Sequence, residues 1–174
     1  MTTLVVLALA GALAPGCSAG DTGADPARVG NVRISGQPDA VALGAAKASG
    51  VTTIVNLREP GELDWDEAGA ARDASLAYHS IPVSGRKELA PEAMERISDI
   101  VSAQGDAGVL VHCASGNRAA AWLAIDLVTR RNMTRDEALV LAERAGLTKT
   151  ALRDKVERYL DRQAAPALDD GDVR

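Results

Sequence analysis

The amino-acid sequence predicts an α/β fold in which helices cover both faces of a mostly parallel sheet of four to five strands. Short apolar segments rich in β-branched residues recur along the chain, and each is followed by a segment whose apolar residues have helical spacing. Glycine, proline or polar residues separate the two kinds of segment. Strands that alternate with helices in this way pair in parallel, because each helix carries the chain back to the start of the sheet.

Each predicted element has a local reason. The strands are expected at residues 31–35, 51–57, 77–83 and 109–113. The helices are expected at residues 39–49, 64–75, 91–104, 118–128, 135–145 and 149–160. Gly50 ends the first helix, Thr134 and Glu137 form a capping box before the fifth, and Gly146 ends that helix. The helix from Arg118 is apolar almost throughout, which predicts a central, buried element.

The composition disfavours several function classes. The chain has 174 residues, a net charge of −5 and 2% aromatic residues, and its basic runs never exceed a pair. Nucleic-acid binding needs a basic surface or aromatic side chains on which bases stack, so no nucleic-acid partner is expected. The only histidines are His79 and His112, and cysteine or carboxylate ligands are not clustered. We therefore expect neither a metal nor another cofactor.

The N-terminal segment has the pattern of an export signal. Residues 4–14 are apolar over a length that suits a signal peptide and is too short for a transmembrane helix. Cys17, in the sequence Gly-Cys-Ser, resembles the lipidated cysteine of bacterial lipoproteins, and cleavage after Ala19 is the alternative. We expect an exported protein of the periplasm or cell envelope, with a lipid on Cys17 as its only membrane attachment.

One folded domain is expected between two terminal segments. A leader at residues 1–19 and a flexible tether at residues 20–30, rich in Gly, Ala, Asp and Pro, come first. The domain covers residues 31–162, and residues 163–174 form an acidic, disordered tail. Since Cys17 and Cys113 are the only cysteines, the domain has no internal disulfide and depends on its apolar core.

The most informative segment runs from Val109 to Arg118. It joins an apolar strand to a helix through Cys113 and a loop of small residues, Ala114, Ser115, Gly116 and Asn117. Backbone N–H groups of such a loop and the start of the helix favour the thiolate form of the cysteine and attract an anion. Arg118 adds a planar set of donors for two oxygens of a tetrahedral anion. The alternative is a buried structural cysteine beside an ordinary turn.

Four segments together resemble a known family. They are Ile34–Pro38, Val51–Arg58, His79–Val83 and Val111–Arg118, in this order and spacing. They are similar to the bacterial dual-specificity-phosphatase-like domains, in particular the phosphatase-like branch named after the beta-lactamase hydrolase-like proteins. The resemblance implies a cysteine-phosphatase fold and a phosphorylated substrate, either a protein or a small molecule.

The same resemblance implies a mechanism. Cys113 would attack phosphorus and form a phosphocysteine, which water then hydrolyses. Arg118 and the backbone N–H groups of residues 114–118 would hold the phosphate oxygens. His112 would lie just outside the cradle and help to orient it, although a buried structural histidine is the alternative for this residue.

Three departures from the family pattern leave other functions open. Four residues separate Cys113 from Arg118, where tyrosine phosphatases have five; many rhodaneses have this shorter loop, so a sulfurtransferase with a Cys113 persulfide is one alternative. Ala119 replaces the usual Ser or Thr, which suggests slow turnover. No Asp follows the third strand, so the candidate general acids are Glu88, Asp66 and Asp64. Without an acid the rate falls ~10²–10⁴-fold, which makes a weak phosphate-binding module the second alternative.

Overall fold

The computed structural model describes residues 27–164, which form five strands and six helices. The strands are β1 (Ala27–Val29), β2 (Val32–Ser35), β3 (Val51–Asn56), β4 (Ala77–Ser80) and β5 (Gly108–His112). The helices are α1 (Ala40–Ala48), α2 (Glu67–Asp73), α3 (Pro91–Ala103), α4 (Asn117–Thr129), α5 (Arg135–Arg144) and α6 (Thr150–Ala164). The predicted leader with Cys17, and the tail from residue 165, lie outside the described residues.

The strands form one sheet in the order β1-β2-β5-β3-β4. The pairs β2·β5, β3·β5 and β3·β4 are parallel, and only β1 is antiparallel, against β2. The predicted α/β class with a mostly parallel sheet is therefore confirmed. Strand β1 corrects the predicted tether, because residues 27–29 belong to the sheet. A two-residue turn at Gly30 and Asn31, with Gly30 at φ +63°, reverses the chain between β1 and β2.

Two apolar layers cover the sheet. Helices α3, α4, α5 and α6 contribute to the larger layer, whereas α1 and α2 contribute to the smaller one. Helix α4 is buried from Asn117 to Leu127, as its apolar sequence predicted. The indole of Trp122, fully buried, donates a hydrogen bond of 3.1 Å to Ser98 Oγ on α3, so the largest core side chain also satisfies its polar atom. Within residues 27–164, no helix combines the length and apolar character needed to cross a bilayer.

The end of the central strand β5 positions the candidate site. Side chains alternate along a strand, so Val109, Val111 and Cys113 belong to the larger apolar layer, whereas Leu110 belongs to the smaller one. His112 is therefore directed to the opposite face from Cys113. Because β5 lies between two parallel neighbours, Cys113 emerges at the carboxyl edge of the sheet, where ligands of such sheets bind.

Candidate active site

A tight loop connects Cys113 to helix α4. Cys113 is 1% exposed and follows β5 directly, whereas Ala114 and Ser115 are exposed. Gly116 precedes α4 with φ +81°, a left-handed conformation that a side chain would strain. Gly36 contacts the loop closely: a Cβ at this position would lie 3.3 Å from the Ala114 carbonyl oxygen. We call residues 113–118 the cradle.

The cradle has unused backbone donors. Among residues 27–164, no backbone acceptor receives a hydrogen bond from the N–H groups of Ala114, Ser115, Asn117 or Arg118. The first turn of a helix cannot satisfy its own N–H groups, and these add to the positive end of the helix dipole. Free N–H groups around a cysteine at this helix start therefore form a binding position for an anion.

Backbone carbonyls and one carboxylate hold the Arg118 side chain in place. Its Nη1 donates to the carbonyl oxygens of Val83 at 2.9 Å and Leu57 at 3.3 Å. The Glu62 carboxylate then accepts from both terminal nitrogens, with Nη1–Oε1 at 3.1 Å and Nη2–Oε2 at 2.6 Å. The Glu62 carboxylate therefore occupies the Nη1–Nη2 edge of the guanidinium and fixes its orientation beside the cradle.

Both members of this pair are ionised. The hydrogen bond from Arg118 lowers the pKa of Glu62; partial burial opposes this shift, and the charges of Arg118 and Arg58 reinforce it. Burial opposes the charge of Arg118, but the hydrogen bond and charge of Glu62 and the neighbouring Cys113 outweigh it and raise the pKa of Arg118. Glu62 is therefore a carboxylate that orients Arg118, and it has no proton to donate near neutral pH.

A cavity of about 210 Å³ opens over the cradle. Its wall contains two carboxylates, two further cations and apolar surface from the start of α6, together with cradle residues. The lining residues are Glu59, Glu62, Gly85, Arg86, Ala114, Ser115, Asn117, Arg118, Lys149, Ala151 and Leu152. The predicted residues Ala114, Ser115, Asn117 and Arg118 thus line one cavity, above the buried Cys113.

The three predicted general acids do not line this cavity. Glu88 pairs with Arg158 at 2.8 Å and Arg162 at 3.7 Å on α6, and the hydrogen bond from Arg158 lowers the pKa of Glu88. The Asp66 carboxylate caps α2 by accepting from the Gly69 N–H at 2.8 Å. Asp64 is exposed and forms no ion pair with the described residues.

The carboxylates that do line the cavity, Glu59 and Glu62, were missed from the sequence. The available signal was their position directly after β3, since the carboxyl ends of neighbouring parallel strands meet at one edge. The turn at Pro60 and Gly61, with Gly61 at φ +86°, lies between them and brings both to the same wall.

His112 belongs to a different group of polar residues, on the opposite face of the sheet. Its Nε2 lies 3.3 Å from Glu67 Oε1, and both side chains are fully buried. Gln37 Nε2 donates to Glu67 Oε1 at 2.5 Å, the Tyr78 hydroxyl donates to Oε2 at 2.8 Å, and Asn56 Nδ2 donates to that hydroxyl at 2.8 Å. We call these five residues the rear cluster.

Hydrogen bonds keep the buried Glu67 charged. Burial alone would raise the pKa of Glu67, but the contacts from His112, Tyr78 and Gln37 outweigh it and lower the pKa. The same environment, burial foremost, raises the pKa of Tyr78 to about 12. Gln37 links the cluster to the cradle, since its backbone N–H donates to the Ala114 carbonyl at 3.3 Å.

No group of three His, Cys, Asp or Glu side chains in the described part of the chain has the arrangement of a metal site.

The chain matches no protein-family model. It is 36% identical over 138 residues to a beta-lactamase hydrolase-like protein of Xylella fastidiosa strain 9a5c, an alignment that covers 75% of this chain. The homologous protein of strain Temecula1 is 38% identical over 120 residues, which cover 65% of the chain. The chain spans 30% and 27%, respectively, of the length of these relatives.

Solved structures with the same fold are cysteine phosphatases and related proteins. A DUF442 protein of Shewanella putrefaciens CN-32 superposes with a TM-score of 0.65 at 22% identity. The match covers 82% of this chain and 89% of the Shewanella protein. Tk-PTP in its active form superposes with a TM-score of 0.66 at 19% identity, and the match covers 77% of this chain and 94% of Tk-PTP. A cysteine-to-serine variant of TpbA of P. aeruginosa, in complex with pTyr, superposes with a TM-score of 0.61 at 17% identity. This match covers 76% of this chain and 79% of TpbA. The resemblance seen in the four sequence segments is thus confirmed: the chain has the fold of these phosphatases, and it is similar in sequence to a segment of the beta-lactamase hydrolase-like proteins.

Proposed function

We propose that this domain is a cysteine-dependent hydrolase of phosphomonoesters that acts through a phosphocysteine. The observation that carries the proposal is the set of unused N–H groups at residues 114, 115, 117 and 118, around a cysteine and beside the oriented Arg118 guanidinium. This arrangement supplies donors for the equatorial oxygens of a phosphoryl group in the transition state. The complex of TpbA with pTyr supports the same class of ligand.

The proposed reaction has two displacements. In the first, the Cys113 thiolate attacks phosphorus, an S–P bond forms, the P–O bond to the leaving group breaks, and the leaving oxygen takes a proton from an acid. In the second, water attacks phosphorus, gives up a proton to the conjugate base of that acid, and releases phosphate and the thiolate. Arg118 and the cradle N–H groups hold the other three oxygens in both steps.

We assign the proton donor to Glu59. Its side chain lines the cavity and forms no ion pair within residues 27–164, in contrast to Glu62, which Arg118 and Arg58 hold as a carboxylate. A general acid must reach the leaving oxygen, and Glu59 is the carboxyl in the cavity wall that no arginine neutralises. Ala119, where the family has a hydroxyl, would leave the departing thiolate without a hydrogen bond in the second step.

The central experiment is hydrolysis of p-nitrophenyl phosphate by the reduced protein between about pH 5 and pH 8. We expect Cys113→Ser to lose at least about 10³-fold in rate, and Arg118→Lys about 10²-fold, because Lys cannot supply two parallel donors. Acid quench of the wild type should trap one phosphoryl group per chain, on Cys113, by mass spectrometry.

Two negative results would redirect the interpretation. Transfer of sulfur from thiosulfate to cyanide, without phosphate release, would make the protein a sulfurtransferase, the function that its short loop also allows. If the protein neither releases phosphate nor transfers sulfur but still binds phosphate, the cradle is a binding module.

The acid can be identified by varying the leaving group. Glu59→Gln should slow the hydrolysis of phenyl phosphate by about 10²-fold, because its leaving group needs a proton. The same change should barely affect the hydrolysis of dinitrophenyl phosphate, whose leaving group departs without one. Glu88→Gln is the matched control, because Glu88 pairs with Arg158 away from the cavity. An equal loss on both substrates in Glu59→Gln, or a selective loss in Glu88→Gln, would reject Glu59 as the donor.

A further inference from the structure

Two cations stand on the wall of the cavity above the cradle. Arg86 belongs to the loop after β4, and Lys149 directly precedes α6. Both side chains are exposed, and neither forms a salt bridge with any residue from 27 to 164. The cradle and Arg118 account for one phosphate, so these two charges are additional to the proposed chemistry.

The three arginines of α6 are paired with carboxylates. Arg153 contacts Glu143 and Glu157, and Arg158 and Arg162 contact Glu88. The chain has more acidic than basic residues, 24 against 19, so carboxylate partners are abundant. Other cations of the described residues, among them Arg96 and Arg144, also lack an ion pair. Arg86 and Lys149 differ from these because they line the cavity above the cradle, where they would attract an anionic group of a ligand.

The backbone near both cations is fixed to the site. Asn117 Oδ1, in the cradle, accepts from the N–H groups of Thr148 and Lys149 at 2.9 Å each. The largely buried Lys155 of α6 donates to the carbonyls of Gly85 and Lys87, at 2.9 and 2.8 Å, and so holds the Arg86 loop. Each cation thus projects from a backbone that is tied to the cradle or to α6.

Within the lining, one acidic residue remains beside these two cations. Glu62 is neutralised by Arg118 and Arg58, which leaves Glu59 as the one carboxylate of the lining without a cation. No aromatic side chain lines the cavity, so the wall has no ring to stack on a phenyl leaving group. Recognition of the leaving group at this wall depends mainly on charge.

We propose that Arg86 and Lys149 form a second anion subsite, and that the substrate is a phosphomonoester whose leaving group carries a second phosphate or carboxylate. The proposal rests on the proposed phosphatase activity for its kinetic test. It adds a substrate class to that activity: the cradle binds the phosphate to be cleaved, and the subsite binds the second anion.

The test measures the rate of phosphate release from phenyl phosphate and from its 3-carboxy derivative. The wild type should prefer the carboxylated substrate in kcat/KM, and Arg86→Ala/Lys149→Ala should reduce that preference about 3- to 10-fold, the range of partly exposed ion pairs. Arg153→Ala, which removes a paired cation of α6 outside the cavity lining, should leave the preference unchanged. High salt should weaken the preference of the wild type.

A binding measurement separates this proposal from the proposed activity. In a Cys113→Ser background, pyrophosphate should bind more tightly than inorganic phosphate, and the Arg86→Ala/Lys149→Ala changes should remove most of that difference in calorimetry. A preference that survives in the double variant, in either assay, would overturn the subsite. If the wild type hydrolyses no phosphomonoester but the binding difference is present, the proposed activity fails and the subsite stands.

Discussion

The cradle and the rear cluster lie on opposite faces of the sheet at the end of β5, and in each region a carboxylate contacts a cation or a nitrogen base. Glu62, in the cavity wall, is 31% exposed and binds Arg118 of the cradle, whereas Glu67, in the rear cluster, is fully buried and contacts His112. The cradle leaves backbone donors unused. In the rear cluster both oxygens of the carboxylate accept hydrogen bonds. The ring nitrogens of the buried His112 are the exception there, since neither has a hydrogen-bond partner among the described residues. The unused donors of the cradle, beside the cavity, indicate a place for a ligand, whereas the bonded Glu67 carboxylate indicates structural support.

Arg58 connects the two regions. Its Nη1 donates to Gln37 Oε1 at 2.7 Å, its Nη2 donates to the Glu62 carbonyl, and its Nε lies 3.4 Å from Glu62 Oε2. Side chains of the rear cluster are therefore in contact, through Arg58, with the carboxylate that orients Arg118. The rear cluster can hold the cradle in position without contacting a substrate.

The largest expected contrast is between Glu62→Gln and Glu67→Gln. Glu62→Gln should lower kcat/KM about 10- to 100-fold, because a neutral amide replaces a charge-assisted partner of Arg118, and it should change the free energy of unfolding little. Glu67→Gln should destabilise the fold by about 1–3 kcal/mol, because buried donors lose a charged acceptor. Urea unfolding and steady-state kinetics on both variants measure the two effects.

Either of two results would contradict this division of roles. An increase of activity in Glu62→Gln would mean that the carboxylate competes with phosphate for Arg118. A loss of activity in Glu67→Gln without loss of stability would place the rear cluster in the chemistry.

Local sequence predicted the parts of the fold that depend on local pattern. Strands β3 and β5 are β-branched and apolar, and the capping box of Thr134 and Glu137 is present with both hydrogen bonds. The cradle was predictable for the same reason, since residues 113–118 are contiguous and one loop conformation brings them together. Strand β1 was missed because its turn at Gly30 lies in a segment whose composition resembles a tether.

The acidic residues after β3 show what local pattern cannot decide. Five carboxyls occur between residues 59 and 67: Glu59, Glu62, Asp64, Asp66 and Glu67. Because this stretch is mostly irregular, no period determines which side chains face the cavity. Its path depends on contacts with Arg118 and Gln37, which are distant in sequence. Hence the sequence favoured Asp64 and Asp66, whereas the structure brings Glu59 and Glu62 to the cavity.

A smaller expected effect concerns the acid limb of stability, that is, the fall in the free energy of unfolding as the pH is lowered. The pKa values of Glu67 and Glu62 are lowered from 4.5, so the folded state binds fewer protons than the unfolded state in that range. Their stabilisation is complete above pH 4.5 and is lost as the pH falls through the lowered values. Glu67→Gln should flatten this limb more than Glu62→Gln, whose partial exposure screens its charge. Identical acid limbs in the wild type and both variants, measured by urea unfolding at successive pH values, would contradict this.

The smallest expected effect is that of Tyr78→Phe, which removes one hydroxyl from the rear cluster. Glu67 Oε2 and Asn56 Nδ2 then each lose a partner, and the free energy of unfolding should fall by about 1 kcal/mol at neutral pH. Tyr159→Phe is the matched control, because its hydroxyl has no hydrogen-bond partner among the described residues, and it should cost less at that pH. The phenol of Tyr78 has its pKa raised from 10.0 to about 12, so its stabilisation is present below pH 10 and is lost between pH 10 and 12. Tyr78→Phe should therefore lose less stability than the wild type over that alkaline interval. Equal losses in the two proteins would mean that Tyr78 titrates alike in the folded and unfolded states, so that the rear cluster does not hold its hydroxyl.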